Sequence, residues 1–148
     1  MNAPDLTKRP PRSPRVRLGG YVILPRMLDK GRAEIAGTQG EFHYNCPLDQ
    51  NFTTFAGINA DALMAQLKAN KGDGEILAWI EENSTHQRGA WEIQQWSTFH
   101  ENRGPDGDVG TLEFFTKLVS GLATERSDVN TWFAMLDLDD YLSYGGLG

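Results

Sequence analysis

Leu24-Pro25-Arg26-Met27-Leu28-Asp29-Lys30-Gly31-Arg32-Ala33-Glu34-Ile35-Ala36-Gly37 is the stretch whose reading decides the fold. Pro25 sits where a first-turn proline belongs, because its missing N–H would have no intrahelical partner there. Behind it Leu24, Leu28, Gly31 and Ile35 recur near helical spacing, and Gly37 supplies a stop. The stretch predicts a helix, and the same punctuation repeats downstream.

Pro47 opens a second helix that runs to about Phe55, with Cys46 in the capping position. Asn59 caps a third, which puts Leu63, Met64 and Leu67 on one face and ends at Gly72. Asp73 caps a fourth through Ile76, Leu77, Trp79 and Ile80. After a polar break from Ser84 to Gly89, the spacing of Trp91, Ile93, Trp96 and His100 predicts a fifth helix, closed by Gly104-Pro105. Leu112, Phe115, Val119 and Leu122 predict a sixth. Ser127 caps the last, with Val129, Trp132, Phe133 and Leu136 as its apolar stripe. Thr38-Gln39-Gly40 reads as a loop and Glu41-Phe42-His43-Tyr44 as an extended segment. The expected fold is an all-α single domain of five to seven helices, with at most a short hairpin near residues 33–44.

Upstream, residues 1–17 hold four of the seven prolines, Pro4, Pro10, Pro11 and Pro14, and predict an extended arm. Val16, Leu18, Tyr21 and Val22 lead from it into core-like sequence, and Gly19-Gly20 permits a turn that a side chain would obstruct. Charge divides along the same line. Residues 1–32 carry eight basic side chains against two acidic, a net of +6, and the remainder six against eighteen, a net of −12. The arm (residues 1–17) is therefore expected to dock on a helical body (residues 18–148). An acidic body opposes phosphate, and no DNA-reading module appears, so nucleic acid is not favoured.

The chain's 148 residues suit one domain. One cysteine excludes a disulfide scaffold. No stretch nears the roughly 20 apolar residues of a membrane span, and the polar start, Met1-Asn2-Ala3-Pro4-Asp5, lacks the core of a secretory signal. A cytoplasmic location, with no membrane association, is the expectation.

Certain segments occur in a familiar order: Asp5-Leu6-Thr7, Arg12-Ser13-Pro14, Leu18-Gly19-Gly20, Leu24-Pro25-Arg26, Asp29-Lys30, Tyr44-Asn45-Cys46-Pro47-Leu48-Asp49 and Thr131-Trp132-Phe133. With these the chain resembles, over nearly its whole length, the bacterial family known as the domain of unknown function numbered five thousand and sixty-nine. The resemblance implies a bacterial origin and a compact helix-rich domain. It brings no activity and no residue roles.

The chemistry must come from the residues. His43, Cys46 and Asp49 lie three apart, but Pro47 interrupts them and no second ligand cluster exists, so no metal site is expected. Cys46 at a helix N-terminus would feel the positive end of the macrodipole, with His43 as a nearby base. Asp106-Gly107-Asp108 lacks the closing glutamate of a calcium loop. The acidic pairs read as solvated faces. No Walker or dinucleotide fingerprint appears, and no cofactor is expected.

Two functional expectations follow. In the first, the chain is a binding module for an anionic small ligand or an acidic partner, received by Arg12, Arg15, Arg26, Lys30 and Tyr44. In the second, it is a small enzyme with its site between the arm and the Tyr44–Asp49 segment, using Cys46 or Asp49, with His43 as a helper.

Overall fold

Proline and glycine set the helix boundaries much as the sequence predicts. In the computed structural model, which describes residues 3–122, 126 and 128–145, α1 (Leu24–Ala36) carries Pro25 in its first turn. It stops at Gly37, whose φ of 73° is the left-handed conformation that L side chains resist. Then follow α2 (Pro47–Ala56), α3 (Ala60–Lys68), α4 (Asp73–Asn83), α5 (Ala90–Asn102), α6 (Val109–Leu122) and α7 (Trp132–Ser143). The described residues form seven helices and no strand. Leu18 and Tyr21 exchange two backbone hydrogen bonds of 3.0 Å as an isolated antiparallel bridge around Gly19-Gly20. Gly19 has φ 59°, and a Cβ there would stand 2.5 Å from the Leu77 side chain, so both conformation and space require glycine.

Several local expectations are corrected. Glu41–Tyr44 is not extended: Gly40 (φ 58°) and Asn45 (φ 62°) bend the chain into turns around it. The third helix ends at Lys68 rather than Gly72, and Asn70 takes φ 63° just beyond it. Asp73 is the first residue of α4 and not its cap. Gly72 caps it, and the Glu75 carboxylate accepts from the Gly72 N–H at 3.2 Å. Thr131 caps α7 by accepting from the Ala134 N–H at 3.1 Å, so Val129 precedes the helix; Ser127, expected as that cap, lies outside the described residues.

Three apolar residues of the expected helical stripes are exposed: Ile35, Trp91 and Leu112. Ile35 belongs to a last turn that stands clear of its neighbours, since Glu34 and Ala36 are exposed with it. On α5 the inward row is Ile93, Trp96, Ser97 and His100, spaced i, i+3, i+4, i+7, which leaves Trp91 outside at 70% exposure. Ser97 holds its place because its hydroxyl donates to the Gly20 carbonyl at 2.5 Å and accepts from the Val22 N–H at 3.1 Å. On α6 the inward row begins at Thr111, one residue before Leu112.

The main core gathers Tyr21 to Leu24, Met27 and Leu28 with Phe52, Leu63, Ile76, Ile80 and Phe133. A smaller one joins Phe115, Val119, Val129 and Leu138. Helix α7 contributes to both and packs against α5 and α6, while α5 also meets the main core through Ile93 and Trp96. At the junction of arm and α1, the buried Ile23 takes φ 75°. A β-branched residue rarely adopts this, and such strain costs about 1–3 kcal/mol. The Ile23 N–H bond to the Pro14 carbonyl, 2.9 Å, holds it there.

Candidate functional site

The arm lies along the helices through its own backbone and three apolar side chains. Leu6 is fully buried, and Pro11 and Pro14 are buried with it. The Leu6 N–H donates to the Thr38 carbonyl at 2.8 Å, and the Leu6 carbonyl accepts from the Tyr144 hydroxyl at 2.7 Å. Tyr21 and Val22 are buried as expected, whereas Val16 is exposed, because the chain rises over the surface between Pro14 and the Leu18–Tyr21 bridge.

Each cation expected to receive an anion already holds a carboxylate. Arg12 forks between Asp29 (Nη2–Oδ1 3.0 Å) and Asp73 (Nη1–Oδ2 2.8 Å), and Arg32 takes the other Asp73 oxygen at 2.8 Å. Burial pushes the Asp73 carboxyl up, but the hydrogen bonds from Arg12 and Arg32 outweigh it and hold the group below the ordinary carboxylate range. Burial likewise disfavours the Arg12 charge, and the bonds to Asp73 and Asp29 more than restore it. Arg15 binds Asp137 at 2.9 Å on the surface. Arg26, 3% exposed, pairs with Asp140 at 2.7 Å and lies 5.5 Å from the Phe42 ring centroid. Tyr44 spends its hydroxyl on the Ala60 carbonyl at 2.7 Å, and burial pushes its phenol well above the ordinary tyrosine value.

Lys30 and Asp49 form the most enclosed of these pairs, 4% and 0% exposed, with Nζ–Oδ2 at 2.9 Å. Asp49 stands in the first turn of α2, and its second contact is the Asn45 N–H at 2.9 Å. The carboxylate thereby bridges α1 to the start of α2. The same Lys30 ammonium donates to the Cys46 Sγ at 3.2 Å. Cys46 is the N-cap of α2 and makes no capping bond with its side chain. It faces a cavity of about 600 Å³ that runs under the arm, walled by Leu6 and Thr7 on one side and by Phe42 and His43 on the other. Arg26 and Lys30 line the same space. His43 is exposed, and among the described residues its side chain makes no hydrogen bond or ion pair. Sulfur, ammonium and imidazole thus share one cavity, while Asp49 is sealed behind the ammonium.

Most of the segments on which the family likeness rests lie within the reach of the family model, Asp5-Leu6-Thr7 excepted. The model described as a domain of unknown function, DUF5069, matches residues 8–142. The chain belongs to this family. No curated protein matches it. In this DUF5069 chain the match takes in Arg12, Arg26, Lys30, Cys46, Asp49 and α7 up to Leu142, so the paired charges and the thiol lie within the shared domain.

Sequence reasoning placed Cys46 and Lys30 in separate roles, and the structure brings them into contact. Lys30 directly precedes Gly31, where Tyr44 and Leu67 pack so closely that a Cβ would come 2.5 Å from Leu67. That close approach brings the chain around Tyr44–Asp49 onto α1. Among the described residues no three His, Cys, Asp or Glu side chains gather as a metal site, and no helix is long and apolar enough to cross a membrane. Arg103 was never singled out, and His100 was read only as a member of a stripe. Both line a second cavity, of about 390 Å³.

Proposed function

We propose that this protein performs thiol chemistry on a small molecule held between the arm and the Tyr44–Asp49 segment, with Cys46 as nucleophile. The observation that carries this reading is the Lys30 ammonium donating to Sγ at 3.2 Å on the wall of a 600 Å³ cavity. A volume of that order suits a small-molecule site. In the proposed step the sulfur attacks an electrophilic carbon, a C–S bond forms, and the leaving group departs with its electron pair. The thiol proton passes to His43 or to solvent in the cavity. Lys30 orients the sulfur and is itself fixed by Asp49, which makes Asp49 a positioning residue. A cytoplasmic setting belongs to this reading, since a single thiol stays reduced there.

The test is alkylation of the native protein by iodoacetamide at pH 7, followed by peptide mapping, together with burst release of p-nitrophenol from p-nitrophenyl acetate. The expected result is labelling of native Cys46 faster than of free glutathione, and a burst that disappears in Cys46→Ser. Labelling only after denaturation, or a burst that survives the substitution, would overturn the reading.

The alternative, a module binding an anionic small molecule, loses force at the arm because Arg12, Arg15, Arg26 and Lys30 each hold a carboxylate there. It gains support on the other side of α2, where a guanidinium and an imidazole stand unengaged.

A further inference from the structure

The 390 Å³ cavity opens between the start of α2, the end of α5 and the first turns of α7. Its walls are largely apolar: Leu48 from α2, and Trp132, Phe133 and Leu136 from α7. Two polar groups from the end of α5 stand among them, and Asn51, Asp106 and Thr111 complete the polar part of the wall. His100 is 6% exposed, and among the described residues its side chain makes no hydrogen bond or ion pair. Its ring is fixed by packing, 4.6 Å from the Trp96 centroid and 5.1 Å from Phe99. Every fully enclosed polar side-chain atom among the described residues has a partner. The unbonded ring nitrogens of His100 therefore reach solvent-accessible space, and His100 lines this cavity. An imidazole with no protein partner on the wall of a hollow keeps its donor and its acceptor available to an occupant.

Arg103 lines the same hollow three residues on, half-buried, and its guanidinium has no partner among the described residues. This sets it apart from Arg26, Lys30 and Arg32, each of which has an acidic partner. Burial, with help from the Arg103 charge, lowers His100 to about 4, so the imidazole is neutral at pH 7 and offers one donor and one acceptor. One planar fork of donors beside one neutral donor, above an apolar floor, is a receptor for a single carboxylate on an apolar body. Asp106, exposed and also at this cavity, opposes a doubly charged phosphate.

We propose that this cavity binds a small monocarboxylate with an aromatic or aliphatic body, its carboxylate on Arg103 and the His100 N–H, and its body against Trp132, Phe133 and Leu136. The site is separate from the Cys46 cavity and does not depend on the thiol reading. Leu48 and Leu136 line both hollows and form the partition between them.

Calorimetric titration of the full chain at pH 7 with phenylacetate, octanoate and inorganic phosphate tests this. Saturable one-site binding of at least one of the two acids is expected, with no saturable phosphate binding. In Arg103→Gln, whose fold is checked by circular dichroism, the affinity should fall by about tenfold or more, since charge-assisted bidentate contacts are the strong ones. Nuclear magnetic resonance should show the Trp132 indole signal moving as the acid is added. Absence of saturable binding by either acid would mean that only water occupies the cavity, and would overturn the proposal. So would phosphate binding as tightly as the acids, or an affinity unchanged in Arg103→Gln.

Discussion

The two cavities that flank the start of α2 differ in how their cations are used. On the arm side, the Arg26 guanidinium and the Lys30 ammonium are both buried and both hold a carboxylate. On the α5–α7 side, the Arg103 guanidinium and the His100 imidazole have no partner among the described residues. A buried pair is a structural commitment, because removing either member strands a charge away from water. An unpaired group beside a hollow contributes little to folding and remains available to a ligand. Charge on the arm side therefore ties α1 to α2 and α7, and chemistry there falls to the sulfur.

The largest expected effect breaks the paired side. Asp49→Asn leaves Lys30 buried without its counter-charge, and should cost about 3–5 kcal/mol in urea unfolding. Arg103→Gln, measured the same way, should change stability by no more than about 0.5 kcal/mol. Similar losses in the two variants would erase the distinction between the cavities.

Leu6→Ala comes next. The side chain is fully buried at the arm's first anchor, and truncation of a buried leucine costs about 2–5 kcal/mol. Deletion of residues 1–17 removes this anchor together with Pro11, Pro14 and Arg12, and should lower the melting temperature further. An unchanged melting temperature would show the arm to be a free tail.

Acid should separate the two sides by pH window. His100 is lowered in the folded state from 6.5 to about 4, so the unfolded chain binds the proton first as pH falls. Stability is full above about 6.5 and is lost progressively between 6.5 and 4. At about 1.4 kcal/mol per pH unit this amounts to about 3.5 kcal/mol, and water in the cavity reduces it to roughly 2 kcal/mol. Asp73 is also lowered, from 3.8, so its contribution persists through that window and is lost only as pH falls below 3.8. In His100→Gln the slope between 6.5 and 4 should flatten while the loss below it stays. An unaltered slope would mean that the imidazole is already solvated in the fold.

These expectations draw on different amounts of sequence information. Helix order was legible because prolines and glycines are local signals: Pro25, Gly37, Pro47 and Asn59 each act within one turn of their own position. The inward row of α5 was not, because Ser97 faces inward by bonding Gly20 and Val22, more than 70 residues away. The same holds for charge. The +6 and −12 split was visible, but which carboxylate meets which arginine depends on tertiary placement, as with Arg26 and Asp140, 114 residues apart. The contact between Lys30 and Cys46 needed the close approach at Gly31. Arg103 carried no signal at all, since an unpaired guanidinium becomes informative only once the partners of all the others are known.

The smallest effect concerns the surface pairs that the charge split seemed to emphasise. Arg15 and Asp137 are 46% and 35% exposed at the side chain, and their 2.9 Å contact lies in water. An exposed ion pair contributes about 0–1 kcal/mol, because high dielectric weakens the attraction and two long side chains lose freedom in making it. Arg15→Gln should therefore shift stability by less than about 1 kcal/mol. Raising salt from about 0.05 M to 0.5 M, which screens exposed charges within a few ångströms, should leave the arm in place. Limited proteolysis with trypsin reads this directly: cleavage after Lys8 or Arg17 should be no faster in high salt, and no faster in Arg15→Gln. Rapid loss of the arm under either condition would show that surface charge, rather than Leu6, Pro11 and Pro14, holds it against the helices. The arm side would then be an electrostatic clasp, and its contrast with the apolar hollow beyond α2 would rest on surface charge rather than on apolar burial.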